Sequence, residues 1–263
     1  MFARFAALSF VLGAAMAANA ASPGQGRHLS IACQACHGAA GLGTAPDIPN
    51  LAGQKERYLA AQLTAFRSGD RKHELMNALA AQLKDEEIAD LAAFWSSMPV
   101  GGAADAHGAA DPAAEFRKSR MEFPKDFPGN FVMYAETINA ESKSAQRSYA
   151  NRLAVDAARA GKPLPPGSAI INLNYSTKPG ATAGSLVADK VVSYAGMASA
   201  PGWGDGVPEL LRNGDWSYAL FDDKQVRRDS NYARCLACHK PKAEDSYVFG
   251  LQAIAASTPA SND

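Results

Sequence analysis

Cys33-Gln34-Ala35-Cys36-His37 and Cys235-Leu236-Ala237-Cys238-His239 are the two stretches that decide the fold, and together they contain all four cysteines of the chain. Both follow the pattern C-x-x-C-H, in which the cysteines and the histidine fall at positions i, i+3 and i+4. On a helix these positions share one face, so two thiols and an imidazole point to the same side. This is the attachment motif of c-type haem, in which the thiols form thioether bonds and the histidine binds the iron.

The two motifs predict two covalently attached haem c groups. A zinc site could also use two C-x-x-C pairs, but such pairs are usually about 15–20 residues apart, whereas Cys33 and Cys235 lie 202 positions apart. Two redox dithiols would each need a following histidine by coincidence, and disulfides between positions i and i+3 would constrain little of the chain. The predicted attachment and iron-binding residues are Cys33, Cys36, His37, Cys235, Cys238 and His239.

The composition is that of an ordinary globular protein and excludes some functions. Of 263 residues, 47% are hydrophobic, and 26 Lys and Arg balance 26 Asp and Glu. Because no net positive field exists to hold a polyanion, we expect no nucleic-acid partner. Four cysteines are too few for a disulfide-dense scaffold.

The first residues have the pattern of a signal peptide. Arg4 precedes an apolar run over residues 5–18, and Ala18-Asn19-Ala20 fits the small-x-small cleavage rule. The run is shorter than the roughly 20 residues that a membrane-spanning helix needs. We expect residues 1–20 to be removed, and the mature protein to be exported to the periplasm with no membrane span.

A segment of linker composition divides the remaining chain. Residues 99–115 are rich in Ala, Gly and Pro and lack hydrophobic periodicity. They separate a first haem domain, residues 22–98, from a second, residues 116–252. An Ala-rich tail, residues 253–263, is expected to be flexible.

The hydrophobic spacing predicts an α+β protein. Residues 59–66 and 85–95 repeat apolar side chains at helical spacing, which indicates an all-α first domain. Residues 170–175 and 216–221 alternate in the manner of strands. We expect the second domain to be mainly antiparallel β with a few helices.

The first haem needs a second axial ligand, and four side chains of its domain are candidates. Met98 ends an apolar helix and suits a core or cap role, and His28 lies on the proximal side. Met76 lies 39 residues beyond His37, in a loop that can cover the opposite haem face. Met76 is the expected ligand, with His73 as the alternative. An iron saturated in this way transfers electrons and binds little else.

The second haem has few candidates for a sixth ligand. After residue 115 the sequence has no histidine besides His239, and the nearest other one is His107 in the linker. Met121 lies in a polar entry segment, Met133 suits core packing in a strand, and Met197 precedes a Gly-rich loop. We therefore expect an open haem that binds small molecules, with ligation by Met197 as the alternative.

The first domain resembles a bacterial class I cytochrome c. The resemblance implies that His37 and Met76 are axial ligands and that the carbonyl of Pro49 accepts a hydrogen bond from His37 Nδ1. It also implies that the helix ending at residue 95 packs against the attachment helix. One departure is Lys84, where the family usually has a Ser or Thr cap and where Asp85 can serve instead. The matching stretches are Cys33–Gly38, Pro49–Gln54, Gly69–Arg71, Met76 and Leu83–Trp95.

The second domain resembles the cytochrome P-460 family. The resemblance implies a β-rich haem domain that dimerises and leaves the haem open on its distal side. Some members oxidise hydroxylamine, whereas relatives of the cytochrome c prime-beta type bind NO or CO without turnover. The matching stretches are Phe123–Phe127, Phe131–Ala135, Tyr149–Asn151, Pro166–Ser168, Asp215–Tyr218, Cys235–Lys240 and Asp245–Phe249.

Two departures from that family bear on catalysis. Hydroxylamine-oxidising members cross-link a Lys to the haem, at a position that falls near Asn172 in this chain. A distal Glu would fall near residues 194–197, which contain no carboxylate. Hydroxylamine oxidation releases protons and so benefits from a positioned base, for which Asp189 and Asp205 are weak substitutes. The same register gives two possible distal polar groups, Arg147 and Tyr149.

Together these features predict an exported dihaem cytochrome. The first haem would exchange electrons with a redox partner protein. The second would bind or convert a small diatomic or nitrogen-containing ligand, hydroxylamine or NO, as a possible haem oxidoreductase in a homodimer. The alternatives are a non-enzymatic NO- or CO-binding protein and a plain two-haem electron carrier.

Overall fold

A computed structural model of the chain describes residues 20–101 and 118–258. The first domain is helical, as the hydrophobic spacing predicts. Ser22 caps its first helix by accepting from the N–H of Gln25, and proline follows at the first turn, where its missing N–H costs nothing. The helices are α1 (Pro23–His37), α2 (Glu56–Ser68), α3 (Glu74–Ala80) and α4 (Asp85–Ser97).

Helix α4 crosses the attachment helix α1 at close range. A Cβ atom at Gly26 would lie 2.0 Å from the carbonyl oxygen of Asp90, so glycine is what allows the two backbones to approach. Leu91 and Trp95 are buried at this crossing, and Cys33 packs against their cluster. The expected packing of this helix against the attachment helix is confirmed.

The cap of α4 differs from the expectation. Lys84 is the N-cap residue, but its backbone N–H donates to the Glu87 carboxylate at 2.8 Å. Asp85 instead pairs with Arg67 at 2.5 Å between side-chain atoms. Glu87 therefore satisfies the helix start, since a carboxylate three positions into a helix can reach back to the cap.

The second domain is built on one five-stranded sheet, and the predicted α+β class is confirmed. All neighbouring strands are antiparallel and lie in chain order. The strands are β1 (Phe131–Asn139), β2 (Ser144–Asn151), β3 (Ala169–Pro179), β4 (Leu186–Ser199) and β5 (Trp216–Asp222). The helices are α5 (Arg152–Arg159), α6 (Ala233–His239), the short 3-10 helix η1 (Lys240–Asp245) and α7 (Leu251–Ala256).

The two faces of this sheet cover different cores. Ile170, Met197 and Tyr218 are paired across β3, β4 and β5 and therefore share one face. The Tyr218 ring lies 4.8 Å from the His239 ring, centroid to centroid, so we call this side the His239 face. The opposite face carries Ile171, which belongs to a separate buried cluster. Side chains from residues 121–127 pack over that opposite face.

The tail begins later than expected. Helix α7 runs through Ala256, and Ile254 is completely buried in the core cluster beside the sheet. Arg159 donates to the carbonyl of Ser257, which ties the end of this helix to α5. The expected flexible tail from residue 253 is therefore wrong for residues 253–257, because α7 buries an apolar side chain that the Ala-rich composition hid.

Several expectations fall outside the described residues. They concern nearly all of the proposed signal peptide, the middle of the linker with His107, and residues 259–263.

Across residues 20–101 and 118–258, no helix combines the length and apolar character that crossing a bilayer requires.

Candidate haem sites

The first attachment motif closes helix α1. His37 is buried, and its Nδ1 donates to the carbonyl of Pro49 at 2.8 Å, as the resemblance implies. Burial lowers the pKa of His37, which favours the neutral imidazole. With Nδ1 committed to a carbonyl, the lone pair of Nε2 is available for a metal. Cys33 and Cys36 precede His37 on the same helix, so the three side chains fit a covalently held haem.

The proposed sixth ligand lies on a helix and not in a loop. Met76 is in α3, whose first turn is capped by His73, with His73 Nδ1 accepting from the Met76 N–H at 3.3 Å. The loop expectation is wrong because this cap allows a short helix over residues 74–80. His73 therefore has a structural role. Met98 is the C-cap of α4 and packs against the domain core, as expected, and His28 is exposed on α1.

The second attachment motif closes helix α6 in the same way. His239 Nδ1 donates to the carbonyl of Tyr247 at 2.7 Å. Burial lowers the pKa of His239 as well, so its Nε2 is available for a metal. Ser246 and Tyr247 have φ values of 57° and 62°, a left-handed backbone that non-glycine residues rarely adopt. This strained turn brings the Tyr247 carbonyl back to His239.

A buried amide that the sequence analysis did not identify supports the second motif. Asn213 is 1% exposed and donates from Nδ2 to the Tyr218 hydroxyl at 2.8 Å and to the Leu236 carbonyl at 3.0 Å. Leu236 lies between the two cysteines of the motif, and burial raises the pKa of Tyr218. The pair Asn213-Gly214 reads as a turn from sequence, so its structural role was missed.

The His239 face of the sheet carries neutral polar side chains. Asn172 lies two residues beyond Ile170 on β3 and so on the same face, between Ser148 and Ala195 of the neighbouring strands. The Asn172 Oδ1 atom is buried without a hydrogen-bond partner. A buried acceptor of this kind costs free energy unless a ligand or water satisfies it, which fits a face that receives a polar ligand.

A hydrogen-bonded row continues this polar surface. Gln146 Nε2 donates to Asn174 Oδ1 at 3.0 Å, and Asn174 Nδ2 donates to Ser193 Oγ at 3.1 Å. Asp222 pairs with Ser193 at the edge of the sheet. Its carboxylate accepts from the backbone N–H groups of residues 224 and 226, each at 2.9 Å. The Asp222 carboxylate, next to this hydrogen-bonded row, is thus engaged by backbone donors of the turn that follows it.

Two expected distal groups lie on the opposite face. Tyr149 packs edge-to-face on Phe127 with ring centroids 5.5 Å apart. Arg147 pairs with Glu136 at 2.8 Å and lies over the Tyr175 ring. The suggestion that Arg147 and Tyr149 line the distal side is wrong, because a strand turns alternate side chains to opposite faces and residues 146 and 148 take the His239 face.

The methionine candidates divide between the same two faces. Met121 is completely buried against Gly196 on the opposite face, where a Cβ atom at Gly196 would lie 3.1 Å from the Met121 sulfur. Met133 pairs with Tyr149 on that face and is 46% exposed, so the expected core role of Met133 is wrong. Met197 is buried on the His239 face between Ile170 and Tyr218.

The two carboxylates considered as bases lie near the end of a hairpin and in a loop. Asp189 pairs with Lys178 at 3.0 Å near the end of the β3–β4 hairpin. Asp205 lies in the loop after β4, where its backbone carbonyl accepts from Arg120 at 3.3 Å.

The cysteines have the environment of attachment residues. Burial raises the pKa of the Cys33 thiol to about 12 and that of Cys235 to about 11. Within the described ranges, no group of three or more His, Cys, Asp and Glu side chains is arranged to hold a metal ion. The zinc alternative therefore lacks support there, and thioether attachment fits.

Two family models match the chain in agreement with this geometry. The Cytochrome c model matches residues 23–99, and the Cytochrome P460 model matches residues 124–250. The chain is a c-type cytochrome. Its first domain belongs to the cytochrome c family and its second domain to the cytochrome P460 family.

Three relatives extend this result. Cytochrome c4 of Pseudomonas aeruginosa is 40% identical over 110 residues, which are 41% of this cytochrome and 54% of that protein. Cytochrome c-554(548) of Halomonas halodenitrificans is 50% identical over 68 residues, 25% of this chain and 82% of the relative. A thiosulfate dehydrogenase electron acceptor of Stutzerimonas stutzeri is 42% identical over 69 residues, 25% of this chain and 32% of the relative. The cytochrome thus spans about half the length of the cytochrome c4 relative.

The motifs and the comparisons together define the cofactors. The protein is a dihaem c-type cytochrome with two covalently attached haem c groups. The family resemblance found in the sequence is confirmed for both domains.

Proposed function

We propose that the first domain of this cytochrome carries electrons and that the second binds a small nitrogen species, NO or hydroxylamine, at an open haem. The observation that carries the proposal is the His239 face. It presents amide and hydroxyl groups around Asn172, whose Oδ1 atom is buried and unpartnered. A ligand with an N–H or O–H group, such as hydroxylamine, would satisfy that acceptor, whereas NO, which has no hydrogen, could only accept from amide and hydroxyl donors on the same face.

The proposed iron ligands are His37 and Met76 in the first domain and His239 in the second. Each histidine keeps Nε2 available while Nδ1 donates to a backbone carbonyl. This second hydrogen bond orients the ring and raises its basicity as a ligand. A c-type haem supplies one-electron redox chemistry, and where one axial position is open it also binds small molecules.

Met197 is the competing sixth ligand of the second haem. Among the described methionines of its domain, it is the one on the His239 face. Its side chain is buried in a cluster with Ile170 and Tyr218, which supports a packing role. We therefore propose that Met197 packs in the core and leaves the iron open.

Binding without turnover is the form of the proposal that the side chains favour. Asn172 stands where hydroxylamine-oxidising relatives carry a cross-linked Lys, and an amide cannot form that link as an amine does. Asp189 is paired with Lys178, and Asp222 is held by two backbone donors. If either of these carboxylates serves as the general base of hydroxylamine oxidation, it does so from an engaged position.

The test is the optical spectrum of the reduced holoprotein with and without CO, after a haem count by pyridine haemochrome. We expect two haems per chain, of which one shifts with CO, and no steady-state oxidation of hydroxylamine with added electron acceptors. If neither haem shifts, both irons are saturated and the protein is a plain electron carrier. If hydroxylamine is oxidised in the steady state, the proposal of binding without catalysis is wrong. The variant Asp222→Asn then tests whether Asp222 is the general base, since loss of turnover would assign that role to it.

We also propose export to the periplasm, domain limits near residues 22–98 and 116–252, and a homodimer through the second domain. Large apolar side chains exposed on β1 and β4 support self-association. Intact mass of the mature protein should place its first residue at Ala21, and light scattering should give twice the chain mass. The exposed side chains are Met133, Ile138, Val187 and Val192.

A further inference from the structure

The two attachment helices meet in one interface. Ala32 and Ala35 of α1 are buried in the same apolar cluster as Ala233 and Leu236 of α6. Leu75 and Leu79 of α3 pack against this cluster from the first domain. Ala35 lies between the cysteines of the first motif, and Leu236 lies between those of the second. The segment that binds each haem is therefore also the segment that contacts the other domain.

Polar contacts surround this apolar centre. Asn231 Nδ2 donates to the carbonyl of Ala35, at the entry to α6. Arg234 pairs with Asp47 across the interface at 3.2 Å. A third contact lies just after the end of α3, where Gln82 Nε2 donates to the carbonyl of Leu210 at 3.3 Å.

Leu210 joins the cores of the two domains. Its side chain packs against the buried cluster of α2 and α4 and also against the cluster beside the sheet. An apolar centre with hydrogen bonds at its rim is the arrangement of a specific interface. Because the two partners belong to one chain, their effective concentration is high even if each contact is weak.

We propose that this surface is an internal docking site that holds the two haem-attachment helices in a fixed relation, so that electrons pass between the haem sites within one chain. The partner of the first domain at this surface is the second domain of the same molecule. The proposal rests on the dihaem assignment but not on an open second haem.

The experiment delivers one electron per molecule to the oxidised holoprotein by pulse radiolysis. The redistribution of that electron between the two haem absorption bands is then followed at several protein concentrations and glycerol viscosities. For a fixed internal interface, we expect a rate that depends on neither variable. A rate that rises with concentration, or that falls in proportion to viscosity, would show transient docking and overturn the proposal.

A charge swap provides the matched variants. Arg234→Asp and Asp47→Arg each place like charges across the interface, whereas the double exchange restores opposite charges. We expect each single variant to lower the ratio of docked to undocked molecules by about fivefold, and Asn231→Ala with Arg234→Asp by about tenfold. The swapped pair should recover the wild-type ratio, and Lys178→Ala, which removes a remote ion pair, should change nothing.

A readout independent of electron transfer completes the test. In wild-type protein, amide relaxation should give one rotational correlation time for both domains, and Leu79→Asp should give two. Arg234 neighbours Cys235, so the haem count is checked in each variant, and Asp47→Arg carries the test if attachment fails. Equal correlation times in every variant, with unchanged rates, would overturn the role assigned to these contacts. CO binding is unaffected by this outcome, so the two proposals fail separately.

Discussion

The two attachment motifs hold their histidines in the same way but lie beside different structures. In both, the histidine that ends the attachment helix donates from Nδ1 to a backbone carbonyl, that of Pro49 in one case and that of Tyr247 in the other. The first domain carries Met76, the proposed second ligand of its haem, on the capped helix α3. Beside the second histidine lies a sheet face with neutral polar groups around Asn172.

This difference separates what a motif determines from what a fold determines. A C-x-x-C-H helix needs only local geometry to present two thiols and an imidazole on one side. The group opposite the imidazole comes from distant chain and depends on packing. One attachment chemistry can therefore serve an electron carrier in one domain and a ligand-binding site in the other.

Removing one attachment motif should give the largest effect. Cys235→Ala with Cys238→Ala should lower the pyridine haemochrome count from two haems per chain to one and leave the spectrum of the first haem in place. The first domain has its own core around Leu91 and Trp95, so it should fold without the second haem. The reciprocal control is Cys33→Ala with Cys36→Ala, and loss of both haems in either variant would contradict independent sites.

Local features of the fold were predictable from the sequence. Helices and strands followed from apolar spacing, and the Pro49 contact followed from resemblance to a known family. Met76 was expected in a loop but lies in helix α3, because the His73 cap that makes its segment helical is a side-chain contact. Helix α7 was missed because the burial of Ile254 depends on α5 and the sheet.

The second prediction concerns Met76, the proposed sixth ligand of the first haem. Met76→Ala should open the first haem, so that CO shifts both haems of the reduced protein, and its reduction potential should fall because a methionine ligand raises it. Met197→Ala is the matched control in the other domain and should leave the CO response of the second haem as it is. If Met76→Ala leaves the first spectrum unchanged, His73 or another group is the ligand.

Which sheet face lies beside His239 could not be predicted from the sequence. Arg147 and Tyr149 were as plausible as Gln146 and Ser148, since the two sets differ by one residue of register. The face was decided by α6, which packs so that His239 lies against Tyr218. A contact between residues so far apart in the chain leaves no periodic signal.

The smallest effect concerns Asn213, which we regard as a positioning residue for the second motif. Asn213→Ala removes two buried hydrogen bonds and leaves the Tyr218 hydroxyl and the Leu236 carbonyl without that donor. The same change also removes the buried, unpartnered Oδ1 atom of Asn213, which offsets part of the loss. We expect the free energy of unfolding to fall by about 1–3 kcal/mol in urea titrations.

A positioning role predicts more than lower stability. Because Asn213 ties Tyr218 to the attachment helix, and Tyr218 lies against His239, its loss should shift the reduction potential of the second haem and leave that of the first unchanged. Asn130→Ala, which removes an exposed hydrogen bond to Asp126 in the segment before β1 of the same domain, is the control. Equal shifts in both haems would assign Asn213 to general stability, since a contact confined to one attachment helix acts on one iron.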